Sequence, residues 1–163
     1  MKQRKFEKIS LKQFYNDVMC ASNLLYEEYK LPQRATRRSA GYDFYSLFDF
    51  TLKIDESIIL PTGVKVYMQD DEQLDIRIRS SLGFKHGIRI KNQLALIDAD
   101  YFNNENNEGH IWIALQNKGK FDWMFRQGDA IAQGTFHKYL IVDNDVPVKE
   151  ERVGGLGSTN SRA

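Results

Sequence analysis

A chain of 163 residues can bury one sizeable core and is too short for two ordinary domains. Its 42% hydrophobic and 28% charged residues exclude a disordered or fibrous protein. A net charge of +1 gives no bulk attraction to a nucleic-acid polymer, although a few local cations could still hold a small anion.

No apolar run approaches the roughly 18 residues of a membrane span, and no charged start leads into an apolar signal core. A cytoplasmic protein without membrane association is therefore expected. The chain opens on a strand-like stretch, Phe6 to Ile9. From Ser10 to Lys30 the apolar residues Leu11, Phe14, Tyr15, Val18, Leu25 and Tyr29 fall at helical spacing, and Ser10 with Gln13 makes a capping-box start. The spacing predicts one amphipathic helix over 10–30, ended before Pro32. Its apolar stripe packs on its own domain in the first reading and against a subunit or another protein in the second. Cys20, the single cysteine, has no disulfide partner, and His86, His110 and His137 lie too far apart to read as a zinc site.

From Tyr42 onward the period changes to two. Leu74, Ile76 and Ile78 alternate with Gln73, Asp75, Arg77 and Arg79, and Ile111, Ile113 and Leu115 alternate with Trp112, Ala114 and Gln116. Turn signals separate the runs at Pro61-Thr62-Gly63, Gln69-Asp70-Asp71, Asn103 to Gly109, Lys118-Gly119-Lys120 and Gln127-Gly128-Asp129. The expected fold is mainly β, an antiparallel sandwich or barrel with one additional N-terminal helix. The tail from Arg152 to Ala163, rich in Gly and Ser, is expected to be mobile on its own.

Several stretches carry more than turn chemistry. Arg79-Ser80-Ser81-Leu82-Gly83 follows a strand with a guanidinium, two hydroxyls and a glycine, donors suited to phosphate oxygens. The tail Arg152-Val153-Gly154-Gly155-Leu156-Gly157-Ser158-Thr159 has the glycines, hydroxyls and cation of a loop that closes over phosphates, but lacks the lysine and spacing of a P-loop. Ile97-Asp98-Ala99-Asp100-Tyr101 sets a carboxylate beside apolar residues and a ring. That suits a general base, or a strand-end Asp that accepts backbone hydrogen bonds.

Taken in order, five stretches resemble the motifs of the trimeric dUTPase family. They are Ser39-Ala40-Gly41-Tyr42-Asp43, Arg79 through Gly87, Asn92 through Tyr101, Gly128-Asp129-Ala130-Ile131-Ala132-Gln133, and the glycine-rich tail. The ordered set spans roughly residues 31 to 160 and is far more specific than any one motif. The resemblance implies a jelly-roll-like β fold and hydrolysis of dUTP to dUMP and pyrophosphate. It also implies a homotrimer whose active sites are shared between subunits.

Residue by residue, it implies Asp98 as the base that activates water at the α phosphate, with Mg2+ bridging the phosphates and Asp43 reaching its water shell. Arg79, Ser80, Ser81 and Gln133 would hold phosphate oxygens. Arg152 would neutralise the terminal phosphate, and Gly157, Ser158 and Thr159 would close over the chain of phosphates. Asn92 and Leu96, in a hairpin between Ile88 and Ile97, would read uracil, and Tyr101 would lie under the deoxyribose.

The sequence departs from the family pattern at Ala95 and Ser81, where glycine is usual, and at Asn160. Leu156 stands where a phenylalanine normally covers the base, so Phe102 or His110 becomes a candidate substitute, against a solvated turn for most of 102–110. A dCTP deaminase of the same fold is disfavoured because Ala114 occupies the place of its glutamate and Asp100-Tyr101 replaces Gly-Trp. The other alternative is a regulatory binding module on the same scaffold.

Overall fold

A computed structural model describes residues 3–146 of the chain. Strand β1 (Lys5–Lys8) runs antiparallel to β6 (Val64–Tyr67), with Lys5 opposite Tyr67 and Lys8 opposite Val64. The largest sheet has five strands in the order β2 (Gln33–Arg34), β3 (Tyr42–Tyr45), β12 (Ala130–Lys138), β7 (Glu72–Arg77) and β9 (Ala95–Asp98). A three-stranded sheet places β10 (Trp112–Asn117) between β5 (Ser57–Pro61) and β8 (Ile88–Ile90), and β4 (Phe50–Leu52) pairs with β11 (Trp123–Phe125). All these pairings are antiparallel. The expected mainly β architecture is what the chain adopts.

The core collects one face of each sheet. Leu74 and Ile76 from β7, Ile113 and Leu115 from β10, Phe44, Leu52, Leu60, Val64 and Phe125 are all buried. At about 1.5–3 kcal/mol per large apolar side chain, this burial is the main force holding the sheets together. Proline 61 and Gly63 turn β5 into β6. Gly63, at φ +73°, leaves room for the Tyr29 ring, which a Cβ there would meet at 2.8 Å.

The single helix expected over 10–30 is two short ones, α1 (Leu11–Asp17) and α2 (Asn23–Glu28). Val18 leaves the helix with φ −109° and ψ 108° and is buried, while Ser22 starts the next turn by accepting a 3.1 Å hydrogen bond from the Leu25 N–H. A β-branched residue followed by a strong N-cap outweighs apolar spacing alone. Ser10 caps α1 as expected, accepting from the Gln13 N–H at 3.1 Å.

Aromatic rings fix this insert to the sheets. Phe14 stacks on Tyr29 at 5.4 Å and 7°, Tyr26 donates to the Ile9 carbonyl, and Tyr29 donates to the Gly63 carbonyl, each at 2.8 Å. Burial pushes the Tyr29 phenol well above its ordinary value. Lys8 sits 4.2 Å over the Tyr29 ring, and burial lowers its ammonium.

The 102–110 stretch is no solvated turn. Asn104, 6% exposed, donates to the Tyr101 carbonyl at 2.9 Å and to the Asn107 side-chain oxygen at 2.8 Å. Glu108 accepts from the Ser10 N–H at 2.9 Å and meets Lys65 at 3.3 Å, while His110 meets Asp17 at 2.6 Å. Both ends of α1 are thus anchored on this one loop.

Candidate functional site

Opposed residues of antiparallel strands share a face. Asp43 on β3 lies opposite Gln133 on β12, and Gln133 opposite Arg77 on β7. Further along, Thr135 is opposite Asp75, Asp75 opposite Leu96, and Gln73 opposite Asp98. Because Phe44, Leu74 and Ile76 point into the core, these polar residues line the outer face of the five-stranded sheet.

At one end of that face, three of the expected residues converge. The Arg79 Nε forms an ion pair with the Asp43 carboxylate at 3.1 Å, with Asp43 only 8% exposed. Gln133 turns its amide toward the strand end, donating to the Ile78 carbonyl at 3.4 Å. Gly41 makes room for it, since a Cβ there would lie 2.5 Å from the Gln133 Oε1. Ser80 and Ser81 are exposed and open the short helix α3 (Ser80–His86), and Arg79 holds its N-cap position without a side-chain cap bond.

Tyr45, two residues beyond Asp43 on the same face, also belongs to this end. Burial raises its phenol, Asp43 adds to the rise, and Arg79 opposes it. Its period-two relation to Asp43 was the signal available in the sequence. The fourth motif supplies structure as well as Gln133: Gly128, at φ +84°, and Asp129, whose carboxylate accepts from the Arg126 N–H at 2.8 Å, make the turn into β12.

The middle of the face holds a buried carboxylate that the sequence did not reveal. Asp75, 4% exposed, accepts from Gln73 at 2.9 Å and Arg77 at 3.0 Å and lies 3.6 Å from His137. Polar alternation along β7 put Asp75 on the face away from the core, but its burial depends on Gln73, Arg77 and His137, the last on a strand paired only in the folded sheet.

Asp98 stands at the other end. It is opposite Gln73 and, with Asp70, Ala99, Asp100 and Tyr139, lines a cavity of ≈360 Å³. From Gln73 to Arg79 the chain advances roughly 20 Å at the rise of an extended strand. Within one chain, Asp98 is thus remote from the Asp43–Arg79–Gln133 cluster. Tyr101 follows in a single 3-10 turn, Ala99–Tyr101; it is 7% exposed, and its hydroxyl donates to the His110 carbonyl at 2.9 Å.

Asn92 is exposed in the turn after β8, where its carbonyl accepts from the Leu94 N–H at 2.7 Å, and Leu96 is 47% exposed on β9. The arms of the expected 88–97 hairpin do not pair with each other. Ile88–Ile90 pairs with β10, and Ala95–Asp98 pairs with β7, so the segment crosses between sheets.

Of the two candidate base covers, burial rules out His110. His110 is wholly enclosed: its Nε2 accepts from the Gly63 N–H at 2.9 Å, so Nδ1 carries the proton donated to Asp17. Phe102 packs against Tyr67 at 5.5 Å with Lys65 5.4 Å from its ring. Arg152, Leu156, Gly157, Ser158 and Thr159 lie outside the described residues.

Among the described residues no three His, Cys, Asp or Glu side chains converge as metal ligands, and one Asp43 oxygen already faces Arg79. This donor set fits a hard cation held mainly by phosphate oxygens and water, with a single carboxylate behind the water.

The dUTPase family model matches residues 27–161. A deoxyuridine 5'-triphosphate nucleotidohydrolase of Lactococcus lactis is 39% identical over 132 residues, covering 80% of this chain and 88% of that protein. One from Haemophilus influenzae is 32% identical over 154 residues, 90% of this chain and 97% of its own length. The crystal structure of dUTPase from Streptococcus mutans superposes with a TM-score of 0.68 at 34% identity, covering 85% of this chain and 98% of that one. A variant of the dUTPase from phage phi11 of S. aureus, which coordinates a structural Mg(II) ion, shares the fold with a TM-score of 0.64 at 18% identity, covering 91% of this chain and 97% of that one.

Proposed function

Because the chain belongs to the dUTPase family, we propose that it hydrolyses dUTP to dUMP and pyrophosphate by attack of water on the α phosphate. The observation that carries this reading is the meeting of Asp43, Arg79 and Gln133, from three separate motifs, at one end of the outer sheet face. Such a reaction would keep uracil out of DNA by removing dUTP and would supply dUMP for thymidylate synthesis.

In the proposed reaction, Arg79, Ser80, Ser81 and Gln133 orient the phosphate oxygens, and Asp98 accepts the proton of the attacking water. Arg79 uses its Nε toward Asp43, which leaves the outer guanidinium nitrogens for phosphate. Mg2+, held by the phosphates with Asp43 behind its water shell, would supply charge neutralisation as the leaving group departs. Asn92, Leu96 and neighbouring backbone groups select uracil, since a cytosine would present donors where uracil presents acceptors. Tyr101 packs beneath the deoxyribose, and Arg152 with Leu156, Gly157, Ser158 and Thr159 closes over the phosphates.

The same geometry supports sites shared between subunits, in an assembly that we propose is a homotrimer. The separation of Asp98 from the phosphate-holding end along β7 supports a site in which one subunit supplies the base pocket and another the phosphate cluster. Pyrophosphate release from dUTP tests the proposal. Asp98→Asn is expected to lower turnover about 10²–10⁴-fold while retaining affinity for a non-hydrolysable dUTP analogue. Wild-type protein that releases ammonia from dCTP, or turns over no uridine nucleotide, overturns it.

A further inference from the structure

The far end of α3 from Arg79 and Ser80 borders a second, preformed cavity. The helix closes at Gly87, with φ +67°, and there the backbone passes so near the turn after β10 that a Cβ on Gly87 would lie 2.6 Å from the Gly119 Cα. Asn117, fully buried, fixes that turn. Its Nδ2 donates to the Leu52 and Phe121 carbonyls, both at 2.9 Å, and its Oδ1 accepts from the Gly119 N–H at 2.8 Å.

Between turn and helix end lies a cavity of ≈760 Å³ lined chiefly by Lys85, His86, Lys118, Lys120, Phe121 and Trp123. His86 covers the Trp123 ring at 3.6 Å, whereas Phe121 is 79% exposed although its carbonyl is pinned. Lys118 is paired with Asp55 at 2.6 Å, and the Asp122 carboxylate accepts from the Ile54 N–H at 2.9 Å. Lys85 and Lys120 have no ion-pair partner among the described residues.

An open phenyl face beside two uncompensated ammonium groups, in a concave site whose backbone is already held, matches a planar aromatic carrying one anionic group. We propose that this cavity binds a nucleoside monophosphate, its base stacked on Phe121 and its phosphate between Lys85 and Lys120. The volume falls within the usual range for small-ligand sites. A net charge of +1 gives no reach for a longer strand, so the ligand is a free nucleotide. The site takes Lys85, His86 and Gly87 from the far end of the second motif but none of the residues assigned to dUTP or the reaction, and it does not depend on that reading.

The test is calorimetric titration of the full chain with AMP, which carries no uracil, after the catalytic site has been saturated with a non-hydrolysable dUTP analogue. One AMP per chain is expected to bind, with adenosine and inorganic phosphate each at least about tenfold weaker. Lys120→Ala and Phe121→Ala are each expected to weaken AMP binding about tenfold, with dUTP turnover and mass in solution unchanged. Absence of AMP binding in the millimolar range, or binding that survives both substitutions, overturns the proposal. So does binding of single-stranded DNA without AMP, or a changed mass for Phe121→Ala, which would make the face a contact between copies. Turnover of dUTP is measured separately, so failure of this site and failure of the catalytic reading are distinguishable.

Discussion

Gly41 shows how much a site can depend on a missing atom. The Gln133 amide occupies the space a Cβ would take, 2.5 Å from its Oε1, and that position aims it at the end where Arg79 and Asp43 meet. Gly41→Ala is expected to push the amide aside without unfolding the sheet, because a flexible side chain rather than backbone must yield. The expected outcome is a KM for dUTP raised about tenfold with little change in kcat, the pattern of lost uniform binding. Steady-state kinetics checks it, and an unchanged KM would remove Gln133 from phosphate binding. The first motif's glycine was legible in the sequence as a motif member. That it serves a glutamine some 90 residues away depends on β3 and β12 lying side by side, which spacing along the chain does not encode.

At the scale of elements, the insert and the 102–110 loop stand or fall together through His110. Burial holds its imidazole below the ordinary value of 6.5, with Asp17 opposing that shift by hydrogen bond and charge, and Glu108 by charge. Protonation would put a proton on the nitrogen that accepts from Gly63, and that bond would be lost. The unfolded chain takes up this proton more readily than the folded one. The contribution is therefore complete above pH 6.5 and is lost as pH falls through the lowered folded value. Glu108 has the same sign lower down. Its burial opposes the shift, but bonds from Ser10 and Lys65 hold it below 4.5, so its contribution is present above that pH and fades beneath it. Thermal melts against pH are expected to show Tm falling below about pH 6.5. His110→Gln should lose that part of the slope and, at pH 7, be less stable by about 1–3 kcal/mol. A parallel pH profile in the variant would refute the assignment.

What the sequence made legible divides along the same line. Period-two runs placed β7 and β10, turn residues placed Gly63 and Gly128, and motif order singled out Asp43, Arg79, Asp98 and Gln133 as candidates. The break at Val18, the buried Asn104 network, the enclosure of His110 and the covered Asp75 all arise from partners distant in sequence. The apolar spacing across 10–30 was genuine, since Phe14, Val18, Leu25 and Tyr29 are all buried, but the exit at Val18 and the new cap at Ser22 divided it.

For the whole molecule, the placement of Asp98 beside the start of β7 and of Arg79 just beyond its end gives the proposed trimer a distinctive test. Asp98→Asn and Arg79→Ala should each be inactive alone. When the two variants are unfolded and reassembled together in equal amounts, sites that draw Asp98 from one protomer and Arg79 from the other become intact. Activity near a quarter of wild type is expected for random assembly, whereas none is expected if both groups act within one chain. Light scattering of the mixture ensures that the assemblies compared are equal in size.

The insert leaves and re-enters the β framework at a single point. The Ile9 N–H reaches the Gly63 carbonyl at 3.0 Å, and the Tyr29 hydroxyl reaches the same oxygen at 2.8 Å. A detour that begins and ends on one acceptor adds length without displacing any strand. A segment grafted over 10–28 is accordingly expected to leave the sheet pairing intact where it also fills the core space of Phe14, Val18 and Leu25 and keeps a carboxylate at the place of Asp17.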